Sequence, residues 1–198
     1  MIQDIFKVPI YQTKLELDTK KLTKFCNNYK KNEDSRVADE GQWLTASGWQ
    51  SPNLSLELSD IKPLIEKIEE HATYFSSSII NNNIQFVINL WLNISNFKEG
   101  NRTHCHPNSD ISGVYYVKTP EECGRLTLEH PIKHTLDFAE TPMKVQNFNS
   151  YNATEWWMPP VADTLYLFPS WLNHFVEPNM NKTKERISIS FNTRDTHG

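Results

Sequence analysis

The chain has 198 residues, a net charge of −4 and a hydrophobic fraction of 38%, enough for one domain with a substantial core. It has no long run of lysine and arginine, so a broad nucleic-acid-binding surface is not expected. No stretch nears the roughly 18 consecutive apolar residues of a membrane span, the opening MIQDIFKVPIYQTKLEL lacks the pattern of an export signal, and Cys26, Cys105 and Cys123 are odd in number and widely spaced. Together these features point to a cytoplasmic protein in a reducing compartment.

No internal repeat and no linker divides the sequence, so a single domain over 1–198 is expected, with a helical layer mostly in 18–80 and a β-rich core in 84–192. Ile5 to Tyr11 alternates like a short strand, and Pro9 suits an edge position. Asp18 is placed to cap a helix reaching about Lys31, with Leu22, Phe25, Cys26 and Tyr29 on one stripe. Residues 32–48 are polar and read as loop. A second helix is expected from Ser59, because Ile61, Leu64, Ile65, Ile68, Ala72 and Phe75 recur at helical spacing. Pro63 falls in its first turn, where proline is tolerated. From Ile84 to Ser95 the pattern becomes that of a long strand. Further strands are expected at 111–118, 124–129, 134–138, 143–149, 164–168, 174–177 and 186–192. Many strands after a short helical prologue describe a mainly β protein with N-terminal helices, a jelly roll of the cupin-like, double-stranded β-helix kind.

The chemistry concentrates in two places. His104 and His106 are two residues apart, and side chains two apart on an extended chain share a face. His174 opens a later strand. Three imidazoles from two strands close one side of a metal ion and leave the other open, the arrangement of non-heme iron sites. A second register starts at His106 and uses Asn108 or Asp110 as the next ligand; the set His104, His106 and His174 is preferred because it needs no special loop. Arg186 opens the alternating run Ile187-Ser188-Ile189-Ser190-Phe191, which sends Arg186 and Ser188 to one face. A guanidinium beside a hydroxyl suits the carboxylate of a co-substrate. Tyr116 either adds its phenol to that carboxylate or fills the core. Asn93, polar in a very apolar strand, either hydrogen-bonds within the site or caps a loop. Ser47 to Ser51 and Trp156 to Pro160 read as structural anchors before they read as substrate contacts. His71, His130, His134 and His197 have no ligand-like spacing.

The runs His104-Cys105-His106-Pro107-Asn108-Ser109, Ser112 to Val117, Phe168-Pro169-Ser170-Trp171-Leu172 with His174, and Arg186 to Asn192 together resemble the 2-oxoglutarate and iron(II)-dependent oxygenases of bacteria and phages, a branch similar to the prolyl hydroxylases. Ile5 to Tyr11, Gly48 to Ser51 and Trp91 to Asn93 extend the likeness over most of the chain. The resemblance implies a double-stranded β-helix. It implies Fe(II) at His104 and His174, and 2-oxoglutarate held by Arg186 with help from Ser188 and Tyr116. It also implies hydroxylation of an unidentified peptidyl or small-molecule substrate by O2, with release of succinate and CO2. The wider superfamily usually carries a carboxylate two residues after the first histidine; here His106 stands there. Asp163 replaces a glycine that the resemblance leads one to expect, a change that should touch only a turn. The expected partners are O2 and the substrate, with a homodimer as an option. Two other readings share the jelly roll: a cupin-like metal dioxygenase that does not use 2-oxoglutarate, and a non-enzymatic binding protein.

Overall fold

The computed structural model describes residues 5–33, 47–79, 84–137 and 148–195. Helix α1 (Thr19–Asn32) starts where Asp18 accepts hydrogen bonds from the Lys20 and Lys21 backbone N–H groups, at 3.0 Å each. It buries Leu22 and Cys26, with Phe25 and Tyr29 partly covered. Helix α2 (Lys62–Ile79) begins three residues later than Ser59, because a turn at Leu58 comes first: its carbonyl takes the N–H groups of Ile61 and Lys62.

The strands form two antiparallel sheets. The larger has the order β1-β8-β5-β10-β3-β2, with β1 (Tyr11–Lys14), β2 (Trp49–Gln50), β3 (Gln85–Ser95), β5 (Ile111–Lys118), β8 (Thr164–Pro169) and β10 (Arg186–Asp195). The smaller has the order β4-β9-β6-β7, with β4 (Asn101–His104), β6 (Leu126–Glu129), β7 (Glu155–Met158) and β9 (His174–Val176). Two facing antiparallel sheets with helices on one outer side are the expected jelly roll.

Side-chain alternation divides the larger sheet into two faces. Tyr115 and Val117, Leu165 and Leu167, and Ile187, Ile189 and Phe191 pack with both helices. Val114 and Tyr116, and Tyr166 and Phe168, turn the other way, toward Leu126 and Leu128 of the smaller sheet. On β3 the buried positions switch from Gln85 and Val87 to Leu90 and Leu92, where the register with β10 shifts between Asn192 and Thr193. That bulge lets one strand keep its buried side chains, Gln85 among them, on the helix side.

Several expectations need correcting. The first strand is Tyr11–Lys14, not 5–11, although it does lie at a sheet edge. Of the expected strand at 134–138, residues 134–137 belong to a short helix, α3 (Lys133–Asp137), whose Lys133 N–H closes a turn on the His130 carbonyl, and residue 138 lies outside the described residues. Of the expected strand at 143–149, residues 143–147 lie outside the described residues, as do 34–46 of the expected loop, and 148–149 are not strand. Asp163 does more than shape its turn. With φ at 63° its carboxylate accepts from the backbone N–H groups of Glu16 and Leu17 and from the Tyr115 hydroxyl. It thereby ties the β1–α1 connection to β5. Cys26, Cys105 and Cys123 are all free, and among the described residues no helix is long and apolar enough to cross a membrane.

Gly113 sits where β5 passes Phe191 of β10 and the backbone of β8; a Cβ there would lie 2.6 Å from the Tyr166 carbonyl oxygen. Gly113→Ala should therefore overpack the centre of the larger sheet and cost about 1–3 kcal/mol. This would be read as a lower urea midpoint with an unchanged denaturant slope.

Candidate metal and co-substrate site

Strands β4 and β9 are neighbours, and their register sets His104 directly opposite His174. His106 lies two residues past His104, held by its backbone N–H donating to the Ser170 carbonyl at 2.9 Å. The three rings converge, with centroid separations of 4.4 Å (His104–His174), 4.9 Å (His104–His106) and 5.2 Å (His106–His174). One nitrogen from each lies within 4.8 Å of the others. Among the described residues no carboxylate or thiol joins this cluster.

The ring nitrogens are already sorted. His104 Nδ1 is 2.7 Å from the Arg102 carbonyl, and His174 Nδ1 is 2.9 Å from the Leu172 carbonyl. A carbonyl can only accept, so each Nδ1 carries the proton and each Nε2 keeps its lone pair. Burial holds all three imidazoles neutral. Desolvation lowers the His104 pKa, brings His106 to about 4 with a contribution from His104, and brings His174 to about 3, again mainly by desolvation. Phe168 packs against His174 at 4.7 Å and Trp91 against His106 at 5.7 Å.

In the alternative register, Asp110 is not among the converging groups. Asn108 has φ at 65°, and its carbonyl accepts from the Arg194 side chain. Asp110 accepts from the Asp195 backbone N–H at 2.8 Å and from Gln85 Nε2 at 3.4 Å. The Asn108 backbone and the Asp110 carboxylate are thus both engaged with the far end of β10.

Between the sheets, beside the imidazoles, lies a cavity of about 60 Å³. Its wall carries Arg186, Ser188, Tyr116 and Asn93 together with the three histidines. Cross-strand register explains the grouping, because Ser188 is opposite Tyr116 on β5 and Asn93 on β3. Arg186 is only 2% exposed. Its Nη1 donates to the carbonyls of Cys123 and Glu177, with a longer contact to Gly124, and its Nη2 donates to the Ser95 hydroxyl at 3.1 Å. No other hydrogen bond from Arg186 occurs among the described residues, so Nε–H and one Nη2 hydrogen remain for a ligand. The Tyr116 hydroxyl, fully buried, has no hydrogen-bond partner among the described residues. An unsatisfied buried phenol beside a guanidinium with two spare donors is a cradle for a carboxylate. Three neutral nitrogen donors suit a divalent first-row metal. The residues present therefore fit both groups.

Asn93 is engaged at both ends: its Nδ2 donates to the Ser190 hydroxyl at 3.0 Å and its Oδ1 accepts from Gln50 Nε2 at 3.1 Å. Gln50, Trp91, Asn101, Phe168 and Ser190 also line the cavity and were not singled out as site residues. A signal existed for Ser190, which continues the alternation of Arg186 and Ser188, and for Trp91, its partner on β3. None existed for the carbonyls of Cys123 and Glu177, because backbone acceptors leave no mark on residue type.

The lowered histidine pKa values make a pH prediction. The folded values lie below the value of about 6.5 for an exposed imidazole. The stability tied to these neutral rings is therefore full above pH 6.5 and is lost as pH falls toward 4 and 3. The metal-free protein should show a falling thermal midpoint over that window. His174→Gln should flatten the profile below pH 5 in differential scanning calorimetry.

A search of curated proteins finds no match. Similar solved structures include a prolyl-4-hydroxylase from Pseudomonas putida, 14% identical with a TM-score of 0.65 over 94% of this chain and 92% of that one. The α-ketoglutarate-dependent epimerase SnoN of nogalamycin biosynthesis is 13% identical with a TM-score of 0.68 over 94% and 76%. A Trichoplax adhaerens prolyl hydroxylase, in complex with a hypoxia-inducible-factor peptide fragment, is 14% identical with a TM-score of 0.64 over 94% and 83%. At such identities these establish the double-stranded β-helix fold. The sequence profile described as Putative 2OG-Fe(II) oxygenase matches residues 89–192, more than half of the chain and the whole span from Asn93 to Arg186. The chain thus belongs to the 2OG-Fe(II) oxygenase family, non-heme iron enzymes that work with iron(II) and 2-oxoglutarate.

Proposed function

We propose that the chain is a dioxygenase that hydroxylates its substrate with O2 while 2-oxoglutarate is converted to succinate and CO2, and that His104, His106 and His174 hold the iron. The observation that carries this reading is the pairing of three neutral, converging imidazoles with an unsatisfied Tyr116 hydroxyl and a braced Arg186 in one cavity. Iron(II) supplies the oxidising chemistry when bound. The protein's part is to position and to exclude water.

In this reading Arg186 takes the distal carboxylate of 2-oxoglutarate through Nε–H and Nη2–H, while Tyr116 and Ser188 each give it a hydroxyl. Asn93 helps to shape the wall through its bonds to Ser190 and Gln50. The carbonyls that hold Nη1 leave the guanidinium little freedom, so little ordering entropy remains to be lost on binding. The cavity of about 60 Å³ is smaller than the co-substrate. Its half-buried walls, among them Gln50 and Trp91, are the side chains with room to yield.

His106 in place of a carboxylate changes the electrostatics. Three neutral ligands would leave a divalent ion its full double charge, which the one carboxylate of 2-oxoglutarate not engaged by Arg186 would only halve. Such a site should depend more on 2-oxoglutarate for charge balance than one with a built-in carboxylate.

The test is an anaerobic titration of the apo-protein with iron(II) and 2-oxoglutarate, watching for the weak visible charge-transfer band of the chelate. The band should require both additions. Tyr116→Phe should weaken 2-oxoglutarate binding by about tenfold or more, the worth of a hydrogen bond to a charged group, about 1.5–3 kcal/mol, with metal affinity unchanged. Arg186→Ala should abolish the band. Metal binding without any 2-oxoglutarate-dependent band in the wild-type protein would favour the cupin-like reading and sink this one.

A further inference from the structure

After Arg186 and Ser188, the next side chain on the same face of β10 is the half-buried Ser190, which also lines the imidazole cavity. We infer that Ser190 is a binding residue for the 2-oxo acid end of 2-oxoglutarate, and that Gln50 and Asn93 aim its proton into the cavity; this rests on the co-substrate reading above.

Its level along the strand comes first. Side chains on one face of a strand are two residues apart, a step of about 7 Å. Ser188 stands opposite Tyr116, at the level assigned to the far carboxylate. Ser190 is one step further from Arg186. Its cross-strand neighbour on β3 is Trp91, which packs against His106 at 5.7 Å. Ser190 therefore lies at the imidazole end of the wall. A five-carbon diacid with one end at Arg186 and the other on the metal passes this level.

The direction of the hydroxyl follows from its neighbours. Gln50 Nε2 donates to Asn93 Oδ1 at 3.1 Å, and Asn93 Nδ2 donates to Ser190 Oγ at 3.0 Å. Among the described residues the Ser190 hydroxyl has no other hydrogen-bond partner. A hydroxyl has one proton and two lone pairs, so accepting from Asn93 leaves the proton to be given elsewhere. The cross-strand neighbours cannot take it. Val114 on β5 is apolar, and the Trp91 indole only donates. The proton is left for an acceptor in the cavity.

Charge selects that acceptor. Arg186 is the one charged side chain in the described wall, and the three imidazoles are neutral. At the imidazole end an anionic group thus meets no side-chain cation. A carboxylate there gains from a neutral donor already aimed at it, because a hydrogen bond to a charged acceptor is stronger than one to a neutral acceptor.

The test repeats the anaerobic iron(II) titration in variants, with iron(II) affinity measured separately in the absence of 2-oxoglutarate. The charge-transfer band arises between the metal and the 2-oxo acid end. A hydrogen bond to that end therefore moves the band maximum, whereas one to the far carboxylate leaves it in place. Ser190→Ala should weaken 2-oxoglutarate by about tenfold, shift the band and leave iron(II) affinity unchanged. Tyr116→Phe should weaken binding without a shift. Ser190→Thr, which keeps the hydroxyl, should behave as the wild type. Asn93→Ala, which frees the hydroxyl to turn, should shift the band in the same direction by less. The assignment is overturned by a Ser190→Ala protein that binds as the wild type, by weaker binding with an unmoved band, or by loss of iron(II) affinity in that variant. An unmoved band in Asn93→Ala overturns the aiming by the two amides. Absence of any band in the wild type overturns the co-substrate reading and this assignment together, whereas a wild-type band that Ser190→Ala leaves unaltered overturns this assignment alone.

Discussion

The strict alternation of β10 is the constraint on which the rest depends. This strand lies inside the larger sheet between β3 and β5. Ile187, Ile189 and Phe191 are fully buried against the helices. A strand cannot slip by one residue without moving all three into the polar interior, so their burial also specifies where Arg186, Ser188 and Ser190 point. The same register sets Ser188 between Asn93 and Tyr116. The apolar face supplies the stability, and the opposite face acquires its geometry as a consequence.

A buried arginine is costly unless its donors are used. Here two main-chain segments share that task. Gly124, at a φ of 81°, lets the chain turn so closely past Glu177 that no side chain would fit, and the carbonyls of Cys123 and Glu177 both reach Nη1. The Glu177 side chain forms a two-point pair with Arg125, which also stacks on Trp157 at 4.6 Å. Those surface contacts hold the segment whose backbone fixes the buried guanidinium. Burial lowers the Arg186 pKa and nearby Tyr116, Cys123 and Glu177 favour its charge, so it is kept charged at the cavity floor with donors to spare.

The imidazole cluster follows a different logic. Its members have no carboxylate partner among the described residues, and it is desolvation that keeps them neutral. Main-chain carbonyls of Arg102 and Leu172 choose the tautomers, two residues before His104 and His174 respectively. The repeated offset of two means that a local chain conformation, rather than a distant partner, turns each lone pair inward. In many metal sites a carboxylate orients the ligand histidine; here the backbone does so and adds no charge.

Much of this was legible in the order of residues. Spacing of two at His104 and His106, alternation after Arg186, the Asp18 cap and the helical stripe of α2 are local patterns, governed by the periods of strand and helix, and the chain carries them wherever it goes. Strands as short as β2, β4 and β7 were not legible, because two to four residues hold too little periodicity to stand out. Nor was α3, whose Leu136 and alternating polar neighbours read equally well as strand. That His104 rather than His106 faces His174 across the strands required the β4–β9 register, and Asp110 accepts instead from the Asp195 backbone. The reach of Asp163 to Tyr115 and to the β1–α1 connection, and the cavity between the N-terminal segment and β7, join residues far apart in the chain. The sequence by itself determined which side chains share a face and which chemistry they offer; the tertiary structure decided which faces meet, because contacts between distant segments depend on sheet order and register, and no local period encodes either.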